Sequence, residues 1–365
     1  MALQISEDHI ARAPKVLLHD HLDGGLRPQT MIEHALASGY TKLPSYDAVE
    51  LGHWFVEACS SGTLELYLET FEHTISVMQT QEEIIRVARE CVLDLAADGV
   101  LYAEVRGAPE LFTRKGLTMD QVIEATVEGF SQGTSEIAHS GKRIRVEHIL
   151  CALRQNHASE EVASKVVKYK GRGVVGFDIA GPEAGFPPTD HIKAFNYLQS
   201  NGAHYTIHAG EAFGVESISQ AVRECSAERI GHGIRLIDDI DFSNGQARLG
   251  SLAQEILDRQ ICLEMAPTSN LQTGGAASYA THQIGVMKKL GFNVTLNTDN
   301  RLMSATSMIR EVREIADGYN WNINDLHDIA RNGIYGAFIS REEQDEIYQS
   351  QINPVFNQIT SELSK

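Results

Sequence analysis

Eight short apolar runs, rich in β-branched residues and separated by longer helical patterns, constrain this chain more than any other feature. They fall near residues 15–20, 100–106, 144–150, 174–179, 204–208, 228–232, 260–265 and 292–297. Runs of that length read as buried strands. Between them, segments 80–98, 118–138, 158–170, 189–201, 214–226, 246–259 and 282–290 repeat apolar residues at helical spacing. Strand–helix alternation predicts an α/β protein, specifically a (β/α)8 barrel. A doubly wound open sheet satisfies the same alternation. No G-x-G-x-x-G turn follows the first strand, however, which counts against a dinucleotide-binding version.

Two stretches lie outside the repeat. Residues 28–79 are too long for one strand-to-helix connection and carry helical patterns of their own. Tyr67, Leu68 and Phe71 share one face of such a helix. An insertion after the first strand lies at the catalytic rim of a barrel. The segment is therefore expected as a helical lid, or as helices that simply pack onto the barrel. After residue 298, extra helices are expected at about 305–317, 324–333 and 340–362. Without a repeat, low-complexity tract or linker, residues 1–365 read as one domain.

Composition narrows the partners. The net charge is −18, and no Lys/Arg run offers a surface for nucleic acid or an anionic membrane. No window of about 18 apolar residues predicts a transmembrane helix. The five cysteines are scattered, odd in number and free of C-x-x-C pairs, so buried reduced thiols are expected. The N-terminus, Met1 to Asp8, lacks the basic start and apolar stretch of a signal peptide. These features place the protein in a reducing, cytoplasmic compartment, and the acidic balance does not identify a partner. No pattern in the chain sets an oligomeric state.

The strand ends carry the chemistry. Strand one ends in His19-Asp20-His21, whose two imidazoles share a face because side chains alternate along a strand. Strand five ends in His208-Ala209-Gly210-Glu211, strand six in Gly231-His232-Gly233 and strand eight in Thr298-Asp299-Asn300. In a barrel these ends converge. His19, His21, His208 and Asp299 would then surround one point, with a ligand set that suits Zn²⁺ and admits Fe²⁺ or Mn²⁺. Singly, each has a plainer reading: a hydrogen-bonded strand-end histidine, a helix-capping Asp299, a first-turn Glu211 or a turn residue at His232.

Six strings together resemble the adenosine deaminase family of the amidohydrolase superfamily. They are His19-Asp20-His21-Leu22-Asp23-Gly24, Asp178-Ile179-Ala180-Gly181, His208-Ala209-Gly210-Glu211, Ile230-Gly231-His232-Gly233, Pro267-Thr268-Ser269-Asn270 and Asn297-Thr298-Asp299. The resemblance implies one zinc ion held by His19, His21, His208 and Asp299. Strand four, Val174 to Asp178, has no lysine of the kind found at two-metal sites. It implies hydrolytic deamination of adenosine, with Glu211 as general acid and with Asp299 and His232 orienting and deprotonating the attacking water. Asp23 would accept from a ribose hydroxyl, the Gly181 N–H would meet the purine ring, and Tyr67, Leu68 and Phe71 would cover the base. The implied substrate is a free purine nucleoside, because a carboxylate near the 5′ end repels phosphate.

The chain departs from that family at three places. Asn300 stands where a second aspartate is usual, and its amide donates without needing a proton. Gly107-Ala108-Pro109 lacks a serine, and Gln283 follows His282 in place of a proline. A sister deaminase acting on adenine, an N6- or 5′-modified adenosine, or aminodeoxyfutalosine is the alternative. A nucleoside-binding protein without catalysis would be expected to have lost a ligand or Glu211. A cytidine-deaminase-type enzyme would need H-x-E and P-C-x-x-C patterns, which are absent.

Overall fold

The computed structural model describes residues 5–243 and 245–364. The first four residues of the N-terminus considered above lie outside it. Eight parallel strands pair in chain order: β1 (Lys15–His21), β2 (Val100–Gly107), β3 (Arg145–Leu153), β4 (Val174–Ala180), β5 (His204–Ala209), β6 (Arg229–His232), β7 (Cys262–Met265) and β8 (Val294–Leu296). Sequential order with every neighbour parallel is the barrel topology, and it removes the doubly wound alternative. The circle closes beyond β8, where Asp20 bridges Asp299. There His21 N–H donates to the Asp299 carbonyl at 2.7 Å and Asp299 N–H to the His19 carbonyl at 2.9 Å. The closing seam thus joins two of the strand ends expected to carry function.

Strand side chains facing the surrounding helices are aliphatic, such as Val16, Leu18, Ile179 and Ile207. The interior is different. Arg106, Asp178, Glu264, Arg229 and Glu104 are all buried there. Arg106 donates to Asp178 at 2.6 Å and Glu264 at 2.9 Å, while Arg229 reaches Glu264 at 2.6 Å and Glu104 at 2.7 Å. Buried charges persist when each finds an opposite partner.

The segment 28–79 folds into four helices, Pro28–Ser38, Ala48–Cys59, Leu64–Glu69 and Phe71–Ser76. Pro28 opens the first, Asp47 caps the second and Thr63 the third. Their apolar sides form a core with β1, β2 and the helices Gln81–Ala97 and Met119–His139. The last of these is the longest helix, and no described helix is long and apolar enough to cross a membrane. All five cysteines are buried and free.

Some boundaries differ from expectation. Helical pattern 246–259 begins only at Ser251, because Ile240–Asp241 and Arg248–Leu249 pair as a small antiparallel hairpin. Pattern 214–226 is a short helix, Val215–Ser219, followed by a wide turn over Gln220–Glu224. Pattern 340–362 widens at Tyr348–Ile352 before Asn353–Leu363. Pro354 lacks the N–H that would continue the helical ladder, and the wide turn just before it absorbs the missing bond. A helix at Glu7–Arg12, closed by a reciprocal Ser6–His9 cap, adds to the expected set.

Candidate active site

A cavity of about 190 Å³ opens at the C-terminal ends of the strands. His21, Asp23, Tyr67, Leu68, Phe71, Gly181, Glu211, His232, Asp299 and Asn300 all line it, together with His208. His19 lies just beneath, fully buried. Leu64 and Ile75 from the inserted helices complete one wall, and Ala108, Leu111, Cys151, Leu153 and Gln155 the other. The inserted stripe therefore both packs on the barrel and faces the cavity. Tyr67 is buried, while Leu68 and Phe71 are half-buried.

The strand-end backbone is shaped to turn these side chains inward. His232 and Asp299 adopt φ of 62° and 58°, a left-handed conformation uncommon without glycine. Such strain clusters where geometry serves function. Gly181 has φ of 108°, and a Cβ there would stand 2.6 Å from the Gln155 side chain. At Gly231 a Cβ would lie 3.2 Å from the His19 ring. Both glycines allow backbone to approach the cavity.

The imidazoles crowd one point. His19 Nε2 and His21 Nε2 stand 3.3 and 3.4 Å from Asp299 Oδ1. His21 Nε2 is 3.3 Å from His208 Nε2. Ligand atoms of His19, His208, His232 and Asp299 also fall within 4.8 Å of one another. Five groups therefore crowd a point for which the resemblance implies four ligands. His19 Nε2 is buried with no hydrogen-bond partner among the described residues. An orphaned lone pair beside other imidazoles and a carboxylate fits a divalent cation, and the donor set suits zinc.

Carboxylates outside the cavity hold the rings. His19 Nδ1 meets Glu264 Oε2 at 3.0 Å, and His208 Nδ1 meets Asp178 Oδ2 at 2.8 Å. Burial alone would raise both acids. His208 and Arg106 outweigh it at Asp178, leaving its pKa at about 2, and Arg229 and Arg106 hold Glu264 well below its ordinary range. Arg106 thus ties the supports of two histidines together. Neither Arg106 nor Glu264 was singled out from the sequence. The available signal was a charge inside an apolar strand run, as in Cys262-Leu263-Glu264-Met265.

Glu211 faces the same point, with Oε2 3.6 Å from His232 Nε2. Burial, with Asp299 and Glu183 nearby, raises its pKa well above the usual carboxylate range. Asp299 shows the opposite balance: burial would raise it, but His19, His232 and His21 hold it well below. Two carboxyls in one cavity whose pKa values are pushed in opposite directions are the pattern of an acid and a base. Glu183 fixes the turn that carries Glu211. Its Oε1 accepts from Gly210 N–H at 2.5 Å, and its Oε2 accepts from the N–H groups of Glu211, Ala212 and Phe213 at 3.1, 2.9 and 2.8 Å.

A parallel barrel with clustered imidazoles and a carboxylate at the strand ends, beside a buried carboxyl of raised pKa, is the arrangement of the metal-dependent hydrolases. Residues 14–354 match the family model for adenosine deaminase. Adenosine deaminase 1 of Streptomyces coelicolor is 52% identical over 98% of this chain and 90% of its own length. Adenosine deaminase of Mycobacteroides abscessus is 48% identical, covering 97% and 98% of the two chains. The chain belongs to the adenosine deaminase family and is a hydrolytic deaminase. Among solved structures, an amidohydrolase from Burkholderia ambifaria with bound Zn superposes at a TM-score of 0.83, with 22% identity over 99% of this chain and 96% of the other. Adenine deaminase from Arthrobacter aurescens gives 0.79, with 23% identity over 97% and 100%. These two share the fold.

Proposed function

We propose that this enzyme hydrolyses adenosine, and 2′-deoxyadenosine, to inosine and ammonia in purine salvage, with one zinc ion per chain. One observation carries the reading. A buried Glu211, its pKa raised well above the usual carboxylate range by burial, faces, inside one cavity, a cluster of imidazoles and Asp299, held well below that range. His19, His21, His208 and Asp299 would hold the ion, whose Lewis acidity brings the pKa of a water toward neutrality.

The protein's own residues supply the rest. Glu211 donates its proton to purine N1, which withdraws electrons from C6 and makes it electrophilic. Asp299 accepts a proton from the water attacking C6, and His232 orients that water. Once the C6–O bond has formed, the proton taken up by Asp299 passes to the exocyclic nitrogen, the C6–N bond breaks and ammonia leaves; the C6–O–H proton returns to Glu211 as the carbonyl forms. Asp23 accepts from a ribose hydroxyl, the Gly181 N–H meets ring N3, and the Asn300 amide donates to N7. Tyr67, Leu68 and Phe71 close over the base as a lid, which excludes water and strengthens the polar contacts inside. No Lys or Arg is among the described residues lining the cavity, so a phosphate would find no cation there. That favours a nucleoside over its monophosphate. The five buried thiols suit a reducing, cytoplasmic setting.

A substrate panel tests the proposal: adenosine, 2′-deoxyadenosine, adenine, AMP and aminodeoxyfutalosine, followed by ultraviolet absorbance with zinc content measured on the same sample. Adenosine and its deoxy analogue should be consumed fastest. An inert adenosine beside rapid turnover of another member would overturn the substrate assignment.

A further inference from the structure

His19, His208 and His232 each have a second nitrogen against a neighbouring polar group, and what that nitrogen meets decides what the first can do. For His19 and His208 it meets an ionised carboxylate, Glu264 or Asp178. A carboxylate only accepts, so the neutral form of His19 carries its proton on Nδ1 and leaves a bare lone pair on Nε2, and the 2.8 Å contact of His208 Nδ1 with Asp178 Oδ2 favours the same tautomer there. His232 is held differently. Its Nδ1 lies 3.0 Å from Asn270 Nδ2. An amide can present either its oxygen or its NH2, so the next contact along the chain of bonds matters.

That contact is unambiguous. Asn270 Oδ1 lies 3.1 Å from His282 Nε2, and His282 Nδ1 accepts from the backbone N–H of Ile284 at 3.1 Å. A backbone N–H can only donate. His282 Nδ1 is therefore bare, and the single proton of this ring sits on Nε2. Burial pushes its pKa down to about 3, so the ring is neutral. Nε2–H donates to Asn270 Oδ1, which turns the Asn270 NH2 toward His232. His232 Nδ1 must then accept, and its proton sits on Nε2. His232, Asn270 and His282 are 1%, 0% and 0% exposed, so water does not replace any bond in the series.

We propose that Asn270 and His282 are positioning residues that fix His232 as a neutral Nε2–H hydrogen-bond donor toward the cavity. Two consequences follow. With a proton on Nε2, His232 has no lone pair for a metal. Of the five competing groups it drops out, leaving His19, His21, His208 and Asp299. The same proton prevents His232 from deprotonating the attacking water, the share of the work it was expected to take from the family resemblance. Asp299 alone accepts that proton. His232 Nε2, between Glu211 Oε2 at 3.6 Å and Asp299 Oδ2 at 4.0 Å, donates to the reacting oxygen. This catalytic consequence rests on the proposed deamination; the tautomer does not.

The test uses the full-length, zinc-loaded protein with ¹⁵N-labelled histidine. Long-range ¹H–¹⁵N correlation distinguishes ring nitrogens that carry hydrogen from those that do not. His232 signals are assigned by their loss in His232→Gln. The expected pattern is Nε2–H with bare Nδ1 at His232, and Nδ1–H at His19 and His208. A proton on His232 Nδ1 in the wild type would overturn the proposal outright, whatever the variants do. Asn270→Asp replaces the donor with an acceptor and should move the His232 proton to Nδ1. Turnover of adenosine should then fall about 100-fold in kcat, the usual effect of losing one donor to a developing oxyanion. KM and zinc content should change little. His282→Gln, whose amide still donates to Asn270, should keep most activity, while His282→Leu should not. A reversed tautomer with normal kcat would refute the catalytic role. Absence of adenosine turnover in the wild type would refute the proposed substrate and leave the wild-type spectrum to decide the tautomer.

Discussion

Replacing Glu183 by glutamine should damage this enzyme although Glu183 does not line the cavity. The carboxylate accepts four backbone N–H groups from Gly210 to Phe213, three of them on Oε2. Glutamine offers one oxygen. Placed at the three-donor side, it leaves its NH2 against the Gly210 N–H, an unsatisfied buried contact costing about 1–3 kcal/mol. Loss of charge weakens the three remaining bonds, for roughly another 1–2 kcal/mol. Arg154 also loses its leading negative neighbour; its guanidinium is buried, and none of its three nitrogens has a partner among the described residues. The two terms sum to about 2–5 kcal/mol of destabilisation, large for a polar isostere. Glu211 moves with the turn, so kcat for adenosine should fall at least about tenfold with a smaller change in KM, since a small misplacement of a reacting group is costly. Denaturant unfolding and steady-state kinetics on the same preparation measure both. Stability within about 1 kcal/mol of wild type together with unchanged kcat would refute the reasoning.

Three further predictions test other groups. Glu211→Gln removes the proposed proton donor, so turnover should drop by about 10²–10⁴-fold with zinc content unchanged; near-normal kcat would remove Glu211 from the acid role. Asn300→Asp should alter the ranking of purine substrates, because a carboxyl donates only when protonated; an unchanged ranking would show that the substitution is silent. Glu311 is fully buried, and burial raises its pKa to about 7 while it accepts from Thr268 N–H and Thr306 Oγ1. The folded protein therefore binds an extra proton between the unfolded carboxylate pKa and about pH 7, so stability declines as pH rises through that window, by up to about 3 kcal/mol. Glu311→Gln, which does not titrate, should abolish that decline; identical pH profiles of unfolding free energy for the two proteins would contradict the assignment.

Periodicity made the barrel legible. Every expected strand overlaps an observed one, because strand-length apolar runs in a parallel sheet must be buried on both faces. The hairpin at Ile240–Asp241 and Arg248–Leu249 escaped notice because two-residue strands carry no period. The convergence of His19, His21, His208 and Asp299 followed once strand ends were placed on one face. Glu183 and Glu264 were not found, since their importance comes from partners in other strands and turns. Glu183 reads as an ordinary loop acid until the four N–H groups of residues 210–213 turn toward it.

The histidines show where such reading reaches its limit. His19, His208 and His232 all end strands and all face the same point, and residue type alone makes each a metal ligand or a base. What separates them is the group behind the ring. Glu264 and Asp178 accept, and so release Nε2 as a lone pair. Asn270 donates, and only because His282 has taken its oxygen under the direction of one backbone N–H at Ile284. That donor lies 52 positions along the chain from His232. The roles of these imidazoles are thus set by the direction of their supporting hydrogen bonds, a property that tertiary contact creates and spacing along the chain does not encode.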